Sequence, residues 1–170
     1  ASESTATKLE YSSSGELKKS TPTARGQGTT ILLEGLFKPL PVRYKEFQKN
    51  KKREYGKAVK ILQGYAIIAK GVRIHVVHKS KSNRTKVVKT EGSKEMRSNL
   101  LNIFGTKQTQ VMRRVEVDFA KEDEGLEDTM EVRLSGWISK CEPKCGRSSS
   151  DRQHLFINGR PVDLVKISRA

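Results

Sequence analysis

The hydrophobic positions of this chain fall into short alternating runs and one long run of helical period. Lys8-Leu9-Glu10-Tyr11, a Ser/Gly turn from Ser12 to Gly15, and Leu17 predict a weak hairpin near the start. After Gly26 and Gly28 the β-rich stretch Thr29-Thr30-Ile31-Leu32-Leu33 predicts the first full strand. Leu36-Phe37-Lys38-Pro39-Leu40-Pro41 breaks it, because each proline fixes its own φ and holds the residue before it extended. From about Val42 to Lys70 a helix is expected: Phe47, Tyr55, Val59, Leu62, Ala66 and Ala69 recur mostly by threes and fours. The exception is the gap from Lys49 to Arg53. It leaves two readings open, one long helix with a polar front end or a short helix and loop ahead of the amphipathic one. Gly71 is placed to stop the helix.

Further on, Val72 to Val77 alternates as a half-buried strand, and Thr85 to Val88 pairs with it across a polar turn at Ser80 to Arg84. Ser93, Glu95 and Met96 look like a helix start, and Leu100, Leu101, Ile103 and Phe104 carry its apolar face to Gly105. Val111 to Phe119 alternates again. The acidic stretch Glu122 to Asp128 reads as a loop of opposite sign to the rest. Met130 to Lys140 and His154 to Ile157 are two more strands, separated by a Cys/Gly/Ser-rich loop from Cys141 to Ser150. Asn158-Gly159 makes a tight turn, and Asp163 is the expected cap of a final helix. This order describes an α+β fold, a mixed sheet with helices packed on one face.

Composition changes the picture in one respect. Lys and Arg number 34 against 19 Asp and Glu, a formal net charge of +15 with a pI near 10.0. Such a surface gathers polyanions by counterion release, and nucleic acid is the commonest polyanion. The hydrophobic share of 34% implies long exposed stretches. With 170 residues the expectation is one domain with a fragment of a neighbour attached. No run approaches the roughly 18 apolar residues of a spanning helix, so no membrane role is expected. Two cysteines make no disulfide framework, which fits a reducing compartment. A start at Ala1 without Met, and an end at Ala170 inside a starting helix, suggest a piece of something longer.

Enzyme chemistry is hard to assemble from these residues. His75 and His78 lie three apart on a predicted strand and so point to opposite faces, wrong for a shared metal. Cys141 and Cys145, with His154 nearby, lack a second ligand pair of zinc-site spacing. Gly26-Gln27-Gly28 has two glycines of a dinucleotide loop but precedes a strand where that loop should follow one. No catalytic residue and no metal ligand is assigned. The basic segment stands out: Arg43, Lys45, Lys49, Lys51, Lys52, Arg53, Lys57 and Lys60 are interrupted only by Glu46 and Glu54. A solvated helix face is the plain reading of such a run, and a surface tracking DNA phosphates is the functional one. Arg147, Arg152, Arg160 and Lys166 form a second basic group. Aromatics are 6% of the chain and recur at core-like spacing, so backbone contacts are expected in place of base stacking.

Several strings together resemble a known family. Gly28-Thr29-Thr30-Ile31, Leu36-Phe37, Leu40-Pro41-Val42-Arg43 and Lys45-Glu46-Phe47 resemble the passage joining the ATPase and transducer domains of MutL-type DNA mismatch-repair proteins. Lys52-Arg53-Glu54-Tyr55-Gly56-Lys57, Ala66-Ile67-Ile68, Asn102-Ile103-Phe104-Gly105, Gly136-Trp137-Ile138-Ser139 and Gly146 to Gln153 look like its post-meiotic-segregation branch. Phe156-Ile157-Asn158-Gly159-Arg160-Pro161-Val162 is the most specific single string.

The resemblance implies a ribosomal-protein-S5-like transducer domain over 36–170, truncated at its C-terminus. Residues 1–35 would be the last hairpin and strand of an upstream GHKL-type ATPase domain. In that family ATP closes two ATPase domains into a dimer, and the transducer relays the state and helps to form a basic DNA channel. Thr29 matches the threonine of the family's Gly-Thr motif beside the adenine pocket. The Glu-Asn helix that holds magnesium, the Asp-Gly-Gly loop and the Gly-Phe-Arg-Gly-Glu-Ala-Leu lid are absent from these 170 residues. The family's phosphate-contacting lysine would follow shortly after Ala170. The chain alone is therefore expected to bind ATP weakly or not at all, with ATP and magnesium belonging to a weakly ATP-hydrolysing parent protein. A MutL-family heterodimer partner and a nuclear location are also implied. The rival readings are an RNA-binding protein of S5-like fold, an active ATPase half, which would require the missing motifs in the same polypeptide, and a pure protein-interaction module.

Overall fold

The computed structural model describes residues 5–121, 130–164 and 166. The chain divides into two compact units, Ala1–Glu54 and Tyr55–Ala170. In the first, β1 (Ala6–Tyr11) and β2 (Leu17–Thr23) form the expected antiparallel hairpin, with Leu9 opposite Ser20. Its turn is closed by the Ser12 hydroxyl, which accepts the Glu16 N–H at 3.0 Å, while Gly15 takes a φ of +90° that favours glycine.

The strand expected at Thr29 to Leu33 does not form. High β propensity describes how a side chain fits a pleated surface, and this run has no ladder partner among the described residues. Ile31, Leu32 and Leu33 are each 78–79% exposed. The connector that follows turns through two left-handed residues, Gly35 (φ +61°) and Phe37 (φ +63°), with the Lys38 N–H donating to the Gly35 carbonyl at 2.7 Å. A non-glycine residue in that region costs on the order of 1 kcal/mol. Phe37 recovers a similar amount, about 0.5–1.5 kcal/mol, from an edge-to-face contact with Phe47 at 5.6 Å.

Helix α1 then runs unbroken from Pro41 to Ile68, crossing from the first unit into the second. Of the two readings of the Lys49–Arg53 gap, the long helix is the one observed. Pro41 fits the first turn, where its missing N–H has no intrahelical partner to lose. Lys, Arg, Gln and Glu are good helix formers, so the polar segment continues the helix without apolar packing.

In the second unit α1 is followed by β3 (His75–Lys79), β4 (Arg84–Lys89), α2 (Met96–Phe104), α3 (Thr106–Gln110), β5 (Met112–Lys121), β6 (Met130–Ser139), one 3₁₀ turn (Ser150–Arg152), β7 (Leu155–Ile157) and β8 (Arg160–Val162). The class is α+β, as expected. Among the described residues the strands of this unit pair as three two-stranded antiparallel ladders, β3–β4, β5–β6 and β7–β8, where one mixed sheet was expected. Strand β3 also starts later than expected. The Thr90 hydroxyl accepts the Ile74 N–H at 2.9 Å and donates to the Val72 carbonyl at 3.2 Å, taking groups that a ladder would have used. Helix α3 was not foreseen, because Thr-Lys-Gln-Thr-Gln has no apolar residue and hence no period. Asn158 (φ +47°) and Gly159 (φ +77°) make the expected Asn-Gly turn, and the residues after it form β8.

The core of this unit is small: Ala66 and Ile67 of α1, Val88 of β4, Leu100 of α2 and Cys145. The acidic stretch Glu122 to Asp128 lies outside the described residues, as does most of the expected final helix, of which Lys166 is described as helical.

Candidate nucleic-acid interface

The front of α1 concentrates the charge. Lys45, Lys49, Lys52 and Arg53 recur at i, i+4, i+7 and i+8, a spacing that sets them on one face of the helix. Arg43 and Lys51 fall outside that arc. Among the described residues Arg43, Lys45, Lys49, Lys51 and Lys52 make no ion pair, and Arg53 binds only the neighbouring Glu54, at 3.1 Å. Like charges at i, i+4 oppose a helix by roughly 0.2–0.5 kcal/mol per pair. A bound polyanion would relieve that repulsion.

The second basic group behaves differently. The Arg147 guanidinium donates to both Asp151 oxygens, at 3.1 and 3.0 Å, and the Ser149 hydroxyl bonds the same carboxylate at 2.6 Å. Ser149, then Arg147, holds the Asp151 carboxyl below its ordinary value. Arg152 lies over the Phe104 ring at 5.1 Å and donates to Gln108 at 2.8 Å. Both arginines are thus occupied in fixing the loop that leads into β7. Arg160, on β8, makes no ion pair among the described residues.

Thr29 is exposed, on the segment that forms no strand. Among the described residues no group of three His, Cys, Asp or Glu could hold a metal ion. Cys141 is exposed and Cys145 buried, and His154 is stacked on Phe104 at 6.0 Å. Burial, and after it the Lys60 ammonium, pushes the His154 imidazole below its ordinary value, and its buried Nε2 has no hydrogen-bond partner. His75 and His78 fall on opposite faces of β3, as the alternation required, and His78 packs on Tyr55 at 4.9 Å.

The rear of α1 is held by a residue that sequence reading overlooked. Asn99 of α2 is fully buried, and its Nδ2 donates to the carbonyls of Ile67 (3.2 Å) and Ala69 (3.4 Å), satisfying the end of α1 from outside. A lone polar residue beside Leu100 on an otherwise apolar face is the signal that would have found it.

The family described as "DNA mismatch repair protein, C-terminal domain" matches residues 100–170. Mismatch repair endonuclease PMS2 of Mus musculus is 41% identical across 99% of this chain. The chain belongs to the MutL-type DNA mismatch-repair family, in its post-meiotic-segregation branch. The DNA mismatch repair protein PMS1 of Arabidopsis thaliana is 38% identical across 98% of the chain. These segments are 21% and 17% of the two relatives, so the MutL-type chain spans about a fifth of their length. A crystal structure described as the N-terminal domain of a DNA repair protein superposes with a TM-score of 0.82 at 35% identity, over 94% of this chain and 49% of the other. That likeness is consistent with the S5-like fold implied by the resemblance.

Proposed function

We propose that this mismatch-repair domain binds the DNA backbone without sequence preference through the front of α1, and relays the ATP state of a neighbouring GHKL-type ATPase domain. The single observation that carries the binding half is the cation face of Lys45, Lys49, Lys52 and Arg53, where among the described residues Arg53 alone pairs with a carboxylate, that of Glu54. Charge density of this kind positions a protein on phosphates and carries no base information. The relay half is supported by the run Ile31-Leu32-Leu33, apolar, exposed and, among the described residues, in no ladder. Exposed apolar surface of that kind marks a contact site, and a strand of an upstream ATPase domain over residues 1–35 is the natural use for it. The transducer then occupies 36–170. Thr29 would lie beside the nucleotide of that neighbouring domain, with ATP and magnesium held by the parent protein, a MutL-family heterodimer as partner, and the nucleus as its place of work.

The test is fluorescence anisotropy with a short DNA duplex across a salt series, for the parent chain and for Lys45→Gln/Lys49→Gln/Lys52→Gln/Arg53→Gln. Each phosphate contact contributes about 0.9 to the slope of log affinity against log salt, so the variant should lose a slope of roughly 3–4. Its unfolding free energy should stay within about 0.5 kcal/mol of the parent, since these are surface positions. An unchanged slope would remove the reading. A duplex RNA competitor that displaces DNA at equal concentration would favour the RNA-binding alternative.

A further inference from the structure

A second cationic surface lies in the Tyr55–Ala170 unit, on the β3–β4 hairpin. In the β3–β4 ladder His75 pairs with Lys89, Val77 with Lys86 and Lys79 with Arg84. Paired residues share a face, and His75, Val77 and Lys79 alternate along the unbulged strand, so these six residues share one side. The other side faces the protein: Val88 is 3% exposed and His78 packs on Tyr55. The outward side therefore holds four permanent cations and a histidine around one apolar residue, Val77. Lys81 adds another cation at the tip, in the turn closed by the Ser80 N–H donating to the Asn83 carbonyl at 2.8 Å.

Like charges directly opposite each other weaken a strand pair, and here Lys79 faces Arg84. Carboxylates do little to offset it. Glu91 pairs with Lys89 and, at 3.8 Å, with Arg73. Lys89 chiefly, with smaller help from Arg73 and His75, holds the Glu91 carboxyl below its ordinary value. Lys79, Lys81, Arg84 and Lys86 make no ion pair among the described residues. A cavity of about 390 Å³ opens along the hairpin, lined by residues of both its sides, His75, Val77, Arg84, Lys86 and Lys89 with Val76 and Val88.

We propose that the outward face of the β3–β4 hairpin is a separate phosphate-binding surface that takes the backbone of duplex DNA. The repetition of charge is the reason. Arg84 and Lys86, two apart on β4, lie roughly 6.6 Å apart, Lys79 faces Arg84 at about 5 Å and Lys89 follows across the bulge, a cluster of cations suited to a repeating anion. An acidic protein partner would need an anchor pocket, yet Val77 is the only apolar side chain on this face. No Phe, Tyr or Trp lies there for unstacked bases, which favours the duplex over a single strand. The inference does not depend on α1.

The experiment uses the intact polypeptide with a short DNA duplex, read by anisotropy across a salt series. Lys79→Gln/Lys81→Gln/Arg84→Gln/Lys86→Gln should bind about tenfold more weakly or worse at low salt, with a slope flatter by roughly 3–4. Lys79→Arg/Lys81→Arg/Lys86→Arg keeps the charge and should keep both values. Run beside the α1 glutamine variant, the two arms separate the readings: a loss confined to the α1 arm overturns the hairpin site, and a loss confined to the hairpin arm leaves it standing without α1. Hydrogen exchange on the unmutated protein guards against a misfolded variant. Duplex should slow exchange at the Arg84–Lys89 amides, and no protection there overturns the proposal. So would a Gln variant that binds duplex normally but loses binding to a poly-glutamate peptide.

Discussion

The two halves of α1 share one continuous backbone and almost nothing else. From Pro41 to Glu54 every side chain is exposed or half-exposed, the cations outnumber the carboxylates, and Phe47 packs against Phe37. From Tyr55 to Ile68 the helix buries Gly64, Ala66 and Ile67, and its last carbonyls are taken by Asn99. The front half is helical because its residue types favour helix and because propagation from an existing helix is easier than nucleation. The rear half is helical because a core requires it. Substitutions in the rear should therefore register in stability, and those in the front in binding.

The largest effect should come from Ile67→Ala. Ile67 is among the largest fully buried side chains in the chain, in a core with few other members to close over a cavity. A loss of about 2–5 kcal/mol is expected, read as a lower urea midpoint. The contrast between the halves fails if Val42→Ala, at a front position that is 80% exposed, costs as much.

Next is Asn99→Ala. It leaves the buried Ile67 carbonyl and the half-buried Ala69 carbonyl without their donor, at a cost of roughly 1–3 kcal/mol. Hydrogen exchange should locate the loss in the last turn of α1, with the Lys45–Arg53 segment unchanged. Protection lost evenly along the helix would mean that the halves are one cooperative element.

This division also explains what could be read in the chain beforehand. The rear of α1 was legible because the apolar period from Tyr55 to Ala69 repeats, and Gly71, at φ +72°, marks the stop, while the polar gap from Lys49 to Arg53 left the front half open between helix and loop. The Asn158-Gly159 turn was legible because backbone sterics alone select those residues. Thr29 to Leu33 misled because β propensity is local while a strand is a relation between two segments. The front cations were legible as a dense run, since charge needs no tertiary geometry. The surroundings of Arg152 were not legible, because it donates to Gln108, 44 positions away in the chain.

The smallest effect sits at the junction of the two halves. Gly56 lies in the interior of α1, and a Cβ built there meets nothing within 4 Å. Gly56→Ala should therefore stabilise by about 0.5–1 kcal/mol, by reducing the freedom of the unfolded chain and favouring helix. The change adds no charge and touches no cation. Duplex affinity and its salt slope should stay where they were while the unfolding midpoint rises. A rise in affinity that tracks the rise in stability would show that helical order in the front half is limiting, and binding and folding would then be coupled through Gly56.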